Sequence, residues 1–472
     1  MGMHRFEILT KTQVEKVHAT SLQILEQIGM DIGHPPALDV FKKGGAKVDG
    51  QRVFFPSRLV EAQIKKAPRR FMLYARNPQN NVVVGGRNTL FAPGYGAPFV
   101  TDLENGRRKA TLEDFENFVK LTGASTHLDV LSGTVVEPTD VPYEIRHAQM
   151  IYSAVKYSDK CFMGSTMGAR AAGDCIQMAA VLFGGRDQIE SAPVIVSVVG
   201  PLTPLKYDAR MLGALMEYAA AGQPVLITSL AIAGATGPVT LAGNLALQNA
   251  EVLAGIVLTQ LIREGTPVIF GGASSNAEMR NGTLSIGSPE MAMNAAATAQ
   301  MARYYKLPAR CGGAVCDAKS PDAQASYESM MNLLMALVCG ANFVLHSAGI
   351  LESFNCMSYE KFIMDEEMCG MAKRIHRAID VNPDTLAFDV IKAVGPGGHF
   401  LDKDHTFDHF RTEFYQPRLS NRDDFVTWQA NGSPQSMVKA NMKVKQILNN
   451  YEAPELPADV DKDLQKFIAT LG

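Results

Sequence analysis

Through the middle of the chain, short apolar runs alternate with amphipathic segments at a steady beat. The runs begin at Thr89 (TLFAPG), Leu131 (LSGTVV), Cys161 (CFMGS), Val194 (VIVSVVG), Val225 (VLITSL), Val268 (VIFGG), Arg310 (RCGG) and Asn342 (NFVLH). Successive starts lie 42, 30, 33, 31, 43, 42 and 32 residues apart, and a strand–helix–strand unit needs about 30 residues or more. Helical patterns fill the gaps, among them TLEDFENFVKLTGA, NLALQNAEVLAGIVLTQLIREG and PEMAMNAAATAQMARYYK, and a last one, SYEKFIMDEEMCGMAKRIHRAI, follows the eighth run. The runs are apolar through most of their length, as strands buried on both faces must be. Eight such runs and eight helices predict a closed parallel (β/α)8 TIM barrel, an α/β fold, over residues 89–381.

The flanks have other rhythms. Residues 1–88 predict an extension of helices and small strands. Thr10 caps an amphipathic helix that stops at Gly29, FPSRLVEAQIKKAP forms a second helix, and LYARN and NVVVGG read as small strands around a turn. Residues 382–472 predict a C-terminal extension packed on the barrel. It holds VGPGGHFLDKDHTFDHFRTEFYQPRL and the only tryptophan, Trp428.

Composition narrows the class. With 46% hydrophobic and 20% charged residues, the chain can bury a large core. The net charge of −3 and the lack of a basic tract argue against nucleic acid or an anionic membrane surface as partner. The N-terminus has no apolar signal core, and no uninterrupted apolar run reaches about 18 residues. Seven scattered cysteines, an odd number, suit free thiols in a reducing compartment. A cytoplasmic protein is expected, and since large barrels often associate, a homo-oligomer.

In a barrel of this kind the loops after the strands carry the chemistry. Those positions supply Gly94-Tyr95-Gly96, Glu137, Gly164-Ser165, Gly200-Pro201, Gly271-Gly272, Gly312-Gly313 and His346-Ser347. So many glycines let loops fold back and let a ligand approach the backbone. Tyr95 stands between glycines, and Phe354 lies eight residues past His346. Two aromatics above the mouth could cage a cation. Arg310 opens the seventh strand, where an unpaired buried charge is costly, so it needs an anionic partner, either a structural carboxylate or a substrate's. Metal hypotheses are weakly supported, although a zinc site among His399, His405 and His409 is conceivable. Cys311 and Cys316 lack a second ligand pair, and His399, His405 and His409 read as loop caps and packing residues. Neither a GxxxxGK[ST] phosphate loop nor a GxSxG nucleophile elbow is present.

Several blocks together give a resemblance: PLTPLKYD (201–208), AGATGPVTLAGNLALQNAEVLAG (233–255), DAKSPDAQASYE (317–328), GANFVLHSAGILE (340–352) and VGPGGHFLDKDHT (394–406). From about Asn77 to Trp428 the chain resembles the trimethylamine methyltransferase superfamily of corrinoid-dependent enzymes. The resemblance implies a (β/α)8 barrel that passes a methyl group from an amine to the cobalt of a separate corrinoid protein, with no cofactor bound tightly by the barrel itself. The trimethylamine enzymes carry a pyrrolysine, and this sequence contains only standard residues. Members without it are similar in fold but act on quaternary amines such as glycine betaine, proline betaine or carnitine. The chemistry agrees. A quaternary ammonium already carries its charge and leaves as a neutral amine, so it needs positioning rather than covalent activation.

Tyr95 and Phe354 are accordingly expected to hold the ammonium, and Arg310 with His346 the carboxylate, with no residue required as acid or base and no metal. Competing readings are a zinc-dependent corrinoid methyltransferase for another donor, a non-catalytic betaine-binding barrel, and a Schiff-base lyase. For the last, Lys319 is the sole lysine in the two loops after the seventh and eighth runs, and it lies in a polar loop.

Overall fold

The computed structural model describes residues 5–471. Seven parallel strands lie side by side in the order Leu90–Phe91, Phe343–Leu345, Ala309–Gly312, Val268–Gly272, Val225–Ser229, Ile195–Val199 and Phe162–Met163. The ring closes through the run that starts at Leu131. That run does not form a full strand, but Val130 bridges Cys161 in parallel and Leu131 N–H donates to Cys161 O at 2.8 Å. On its other side, the N–H groups of Asp129 and Val130 both donate to Phe91 O, at 2.8 and 3.3 Å. All eight runs thus take their places in one (β/α)8 barrel, and each is followed by a helix, from Leu112–Ala124 after the first to Tyr359–His376 after the eighth.

Alternation along the strands fills the interior. Leu90, Val130, Met163, Val196, Leu226, Ile269, Phe343 and Leu345 form one buried cluster. Phe71, Leu73 and Val84 join it from the antiparallel hairpin Arg70–Leu73/Val82–Gly85. That hairpin plugs the end of the barrel where the strands begin. Asp159, just before the third strand, accepts from the side chains of Asn77 and Asn80 in its connecting turn, both at 2.8 Å.

The helix Leu241–Ile262 is long and apolar enough in composition to cross a membrane, but 89% of its most apolar window is buried. The N-terminal helices Lys11–Gln23, Pro35–Lys43 and Ser57–Ile64 pack over its outer side, which is why it has no solvent-facing stripe. At the other end of the chain, the helix Ser436–Asn449 lies across Leu112–Ala124 and Tyr359–His376, covering the seam between the first and last barrel helices. The helix Ala458–Ala469 rests on Tyr143–Tyr157 and Ala169–Phe183. The seven cysteines are buried and none is in a disulfide.

Candidate active site

At the mouth of the barrel the strand-end residues converge. Arg310 pairs in register with Gly271 on one side and Phe343 on the other, so it alternates into the interior with its neighbours Ile269 and Phe343. It is 2% exposed. Its Nη1 donates to Gly272 O at 3.1 Å and to Thr228 Oγ1 at 3.4 Å, while its Nε is buried without a partner. No carboxylate among the described residues pairs with it, and burial pulls the guanidinium down to about 10. A cation so placed is costly until an anion reaches it.

His346 ends the eighth strand with a left-handed backbone, φ 63°. Its Nδ1 accepts the backbone N–H of Tyr95 at 3.2 Å. Burial, and then the charge of Arg310, hold the imidazole well below its ordinary value. The ring is therefore neutral, and with Nδ1 accepting, its proton sits on Nε2.

Tyr95 is fixed by the strand ends around it. His346 N–H and Ser347 N–H donate to Pro93 O and Ala92 O at 3.1 and 2.8 Å, and Gly94 N–H donates to Ala348 O at 2.9 Å. Gly94 leaves little room for a Cβ, which would press on the buried side chains of Met357 and Ile350. The Tyr95 ring packs on the barrel's interior cluster. Burial raises its phenol, and the hydroxyls of Thr166 and Thr134 partly offset this.

Phe354 reaches the same place by another route. Ile350–Leu351 and Cys356–Ser358 form a short antiparallel hairpin, with Phe354 in its turn. This hairpin joins Phe99–Asp102 and Gly106–Lys109 in a four-stranded sheet on the rim. Glu352, Ser353 and Phe354 are all left-handed, with φ of 53°, 52° and 77°. Of nine non-glycine residues with positive φ among the described residues, four lie between 346 and 354. Strain gathers in this way where surrounding structure enforces a functional geometry. Arg107 secures the turn, with its Nε 2.9 Å from Glu352 Oε1 and its guanidinium 3.7 Å from the Phe99 ring centre. The Phe354 ring stands 4.6 Å from that of His346.

His346 is therefore the hub. It touches the Tyr95 backbone, the Phe354 ring and the field of Arg310. Two further groups, not singled out in the sequence, hold this arrangement. Asp317 accepts from Ser285 Oγ, Ile286 N–H, Gly287 N–H and Ser353 Oγ at 3.0, 2.9, 2.8 and 2.6 Å, tying the loops after the sixth, seventh and eighth strands. Lys361 and Asp365 form a buried ion pair at 2.6 Å under the eighth loop. Lys361 also donates to Ala314 O, and Asp365 accepts Gly349 N–H at 2.8 Å. Their signal in the sequence is a lysine and an aspartate four apart among apolar helix residues.

The fold and this mouth define a (β/α)8 barrel with an aromatic-lined site around a buried arginine at the carboxyl ends of its strands. The chain belongs to the trimethylamine methyltransferase (MTTB) family, which it matches over residues 1–471, beyond the 77–428 span carried by the sequence blocks. It is 53% identical to the glycine betaine methyltransferase of Desulfitobacterium hafniense (strain Y51), over 99% of this chain and 98% of that one. It is 32% identical to the proline betaine:corrinoid methyltransferase of Eubacterium limosum, with 96% of each covered. In structure it is similar to the monomethylamine methyltransferase MtmB of Methanosarcina barkeri, with a TM-score of 0.58 at 12% identity, covering 99% of this chain and 89% of that one. That likeness supports the barrel.

Proposed function

We propose that this chain demethylates glycine betaine, passing one methyl group to Co(I) of a separate corrinoid protein. The observation that carries the reading is Arg310, a buried cation facing the barrel interior with no carboxylate partner among the described residues. A betaine carboxylate supplies the missing charge, and the Nε2–H of neutral His346 offers a second donor. Tyr95 and Phe354 then face the trimethylammonium with their π-systems, a contact that stabilises a desolvated quaternary cation by about 2 kcal/mol. The C–N bond breaks with its electron pair on nitrogen, giving dimethylglycine, and the methyl carbon bonds to cobalt. No proton moves, so no side chain is needed as acid or base. The barrel contributes orientation and exclusion of water. The 53% identity to a glycine betaine enzyme supports that donor over bulkier betaines.

The test is demethylation with a corrinoid protein and a reductant. Glycine betaine should yield dimethylglycine, and Arg310→Ala should lower kcat/KM by about 100-fold or more, the loss expected on removing one partner of a desolvated ion pair. Choline, which lacks the carboxylate, should bind equally weakly to both proteins. Undiminished turnover of betaine by Arg310→Ala would remove the residue from this role. Binding of betaine that depends on Arg310, without methyl transfer to any corrinoid protein, would favour a binding barrel instead.

A further inference from the structure

The C-terminal extension holds a cluster unrelated to the mouth. His405 and His409 stand one turn apart on the helix Asp404–Glu413, with ring centres 4.4 Å apart. Asp384 comes to them from a separate turn, with Oδ2 3.3 Å from His409 Nε2. One donor atom from each of the three lies within 4.8 Å of the others. The His405 Nε2 is buried and has no partner. A lone histidine–aspartate ion pair accounts for His409 and Asp384, but not for a second imidazole tilted beside them with an orphaned nitrogen.

We propose that Asp384, His405 and His409 bind a divalent transition metal of the zinc type. Histidines four apart on one helix face, completed by a carboxylate from elsewhere, are a three-ligand zinc set with a fourth position open to water. Zinc bonds of about 2.0–2.2 Å place tetrahedral ligand atoms about 3.2–3.6 Å apart. The triangle therefore has to contract, and Asp384 is free to move, with 72% of its side chain exposed. Both halves of the site are already anchored. Asn382 Oδ1 accepts the N–H groups of Asp384 and Thr385 at 2.9 and 3.0 Å. Glu413, at the end of the helix, pairs with Arg374 and Arg377 at 3.4 Å each.

Those arginines lie at or just past the C-terminal end of the last barrel helix. Barrel helices run antiparallel to their strands, so this end is remote from the mouth. The metal cannot reach a methyl donor held there. Its effect is to staple a segment that otherwise exposes large apolar side chains, such as Phe388, Leu401 and Phe407. Zinc in the purified protein would thus not in itself indicate a metal-activated methyl donor.

The experiment uses tag-free full chain, stripped with a chelator and then supplied with Zn2+. About one zinc per chain should be retained, and zinc should raise the melting temperature and protect residues 377–432 from proteolysis. Co2+ in its place should give the visible absorption of a tetrahedral site. His405→Ala/His409→Ala should lose the metal, and Asp384→Asn, a conservative change at an exposed position, should weaken it roughly tenfold or more. Both variants should keep wild-type circular dichroism and wild-type betaine binding. Failure of the wild type to retain stoichiometric zinc, or equal retention by a folded double variant, would overturn the site.

Discussion

At the scale of single residues, the mouth places a cation beside a histidine and thereby fixes the histidine's protonation. His346 is buried and faces the guanidinium of Arg310, so its native value is depressed below the ordinary 6.5. Between those two values the unfolded chain binds a proton that the native state does not. Stability is therefore full above about 6.5 and declines as pH falls below it. Thermal denaturation of the wild type should show that decline, and His346→Asn, which tolerates the left-handed backbone, should show less of it. By the same reasoning kcat/KM for the donor should have no inflection from His346 between about pH 6.5 and 8.5. A histidine-like inflection that disappears in His346→Asn would contradict the neutral ring. Arg310 and His346 were legible in the sequence because each interrupts or ends an apolar run. Their joint placement at one carboxylate was expected too, but the hold of the Arg310 charge on the His346 ring emerges only from the structure.

At the scale of elements, Asp317 shows how the rim is built. From the loop after the seventh strand its carboxylate accepts four hydrogen bonds from the two neighbouring loops, one of them from Ser353, next to Phe354. Asp317→Ala leaves the N–H groups of Ile286 and Gly287 without their acceptor. We expect a loss of about 2–4 kcal/mol of stability, from broken hydrogen bonds to a charged group. We also expect a raised KM for the donor from a loosened Phe354, although Asp317 does not touch the proposed substrate. A melting curve and a steady-state titration check both. An unchanged KM at lower stability would confine Asp317 to scaffolding. The block DAKSPDAQASYE that begins with this residue was conspicuous in the sequence as a motif, and its role as a loop clamp emerges only in three dimensions. The strands followed from the apolar runs with one exception. LSGTVV read as a full strand but pairs only at isolated points, through Val130 just before it with Cys161 and through Val136 at its end with Ala97. The hairpin Ile350–Leu351/Cys356–Ser358 left no trace, because its strands are two and three residues long and its turn contains no glycine.

At the scale of the whole molecule, the two ends of the barrel do different work, and they should respond differently to damage. The mouth carries the candidate chemistry, while the far end is stoppered by the hairpin Arg70–Leu73/Val82–Gly85. LYARN and NVVVGG announced two small strands, but periodicity within a short segment cannot say which surface a hairpin will cover. What fixes its position is the barrel's own need, since the lowest layer of interior side chains has no neighbours below it. Leu73 is fully buried and belongs to the same cluster as Phe343 and Leu345, which lie on the strand that ends at His346. Leu73→Ala removes three carbons from a site that the plugged end gives little room to collapse, and should cost about 2–5 kcal/mol. Because the void opens beneath the strands rather than among the loops, donor KM should stay at the wild-type value while the melting temperature falls. An equal fall in stability accompanied by a large rise in KM would mean that the interior layers transmit packing to the mouth. Arg310, which pairs in register with Phe343, would then be positioned by the plug as much as by its own strand.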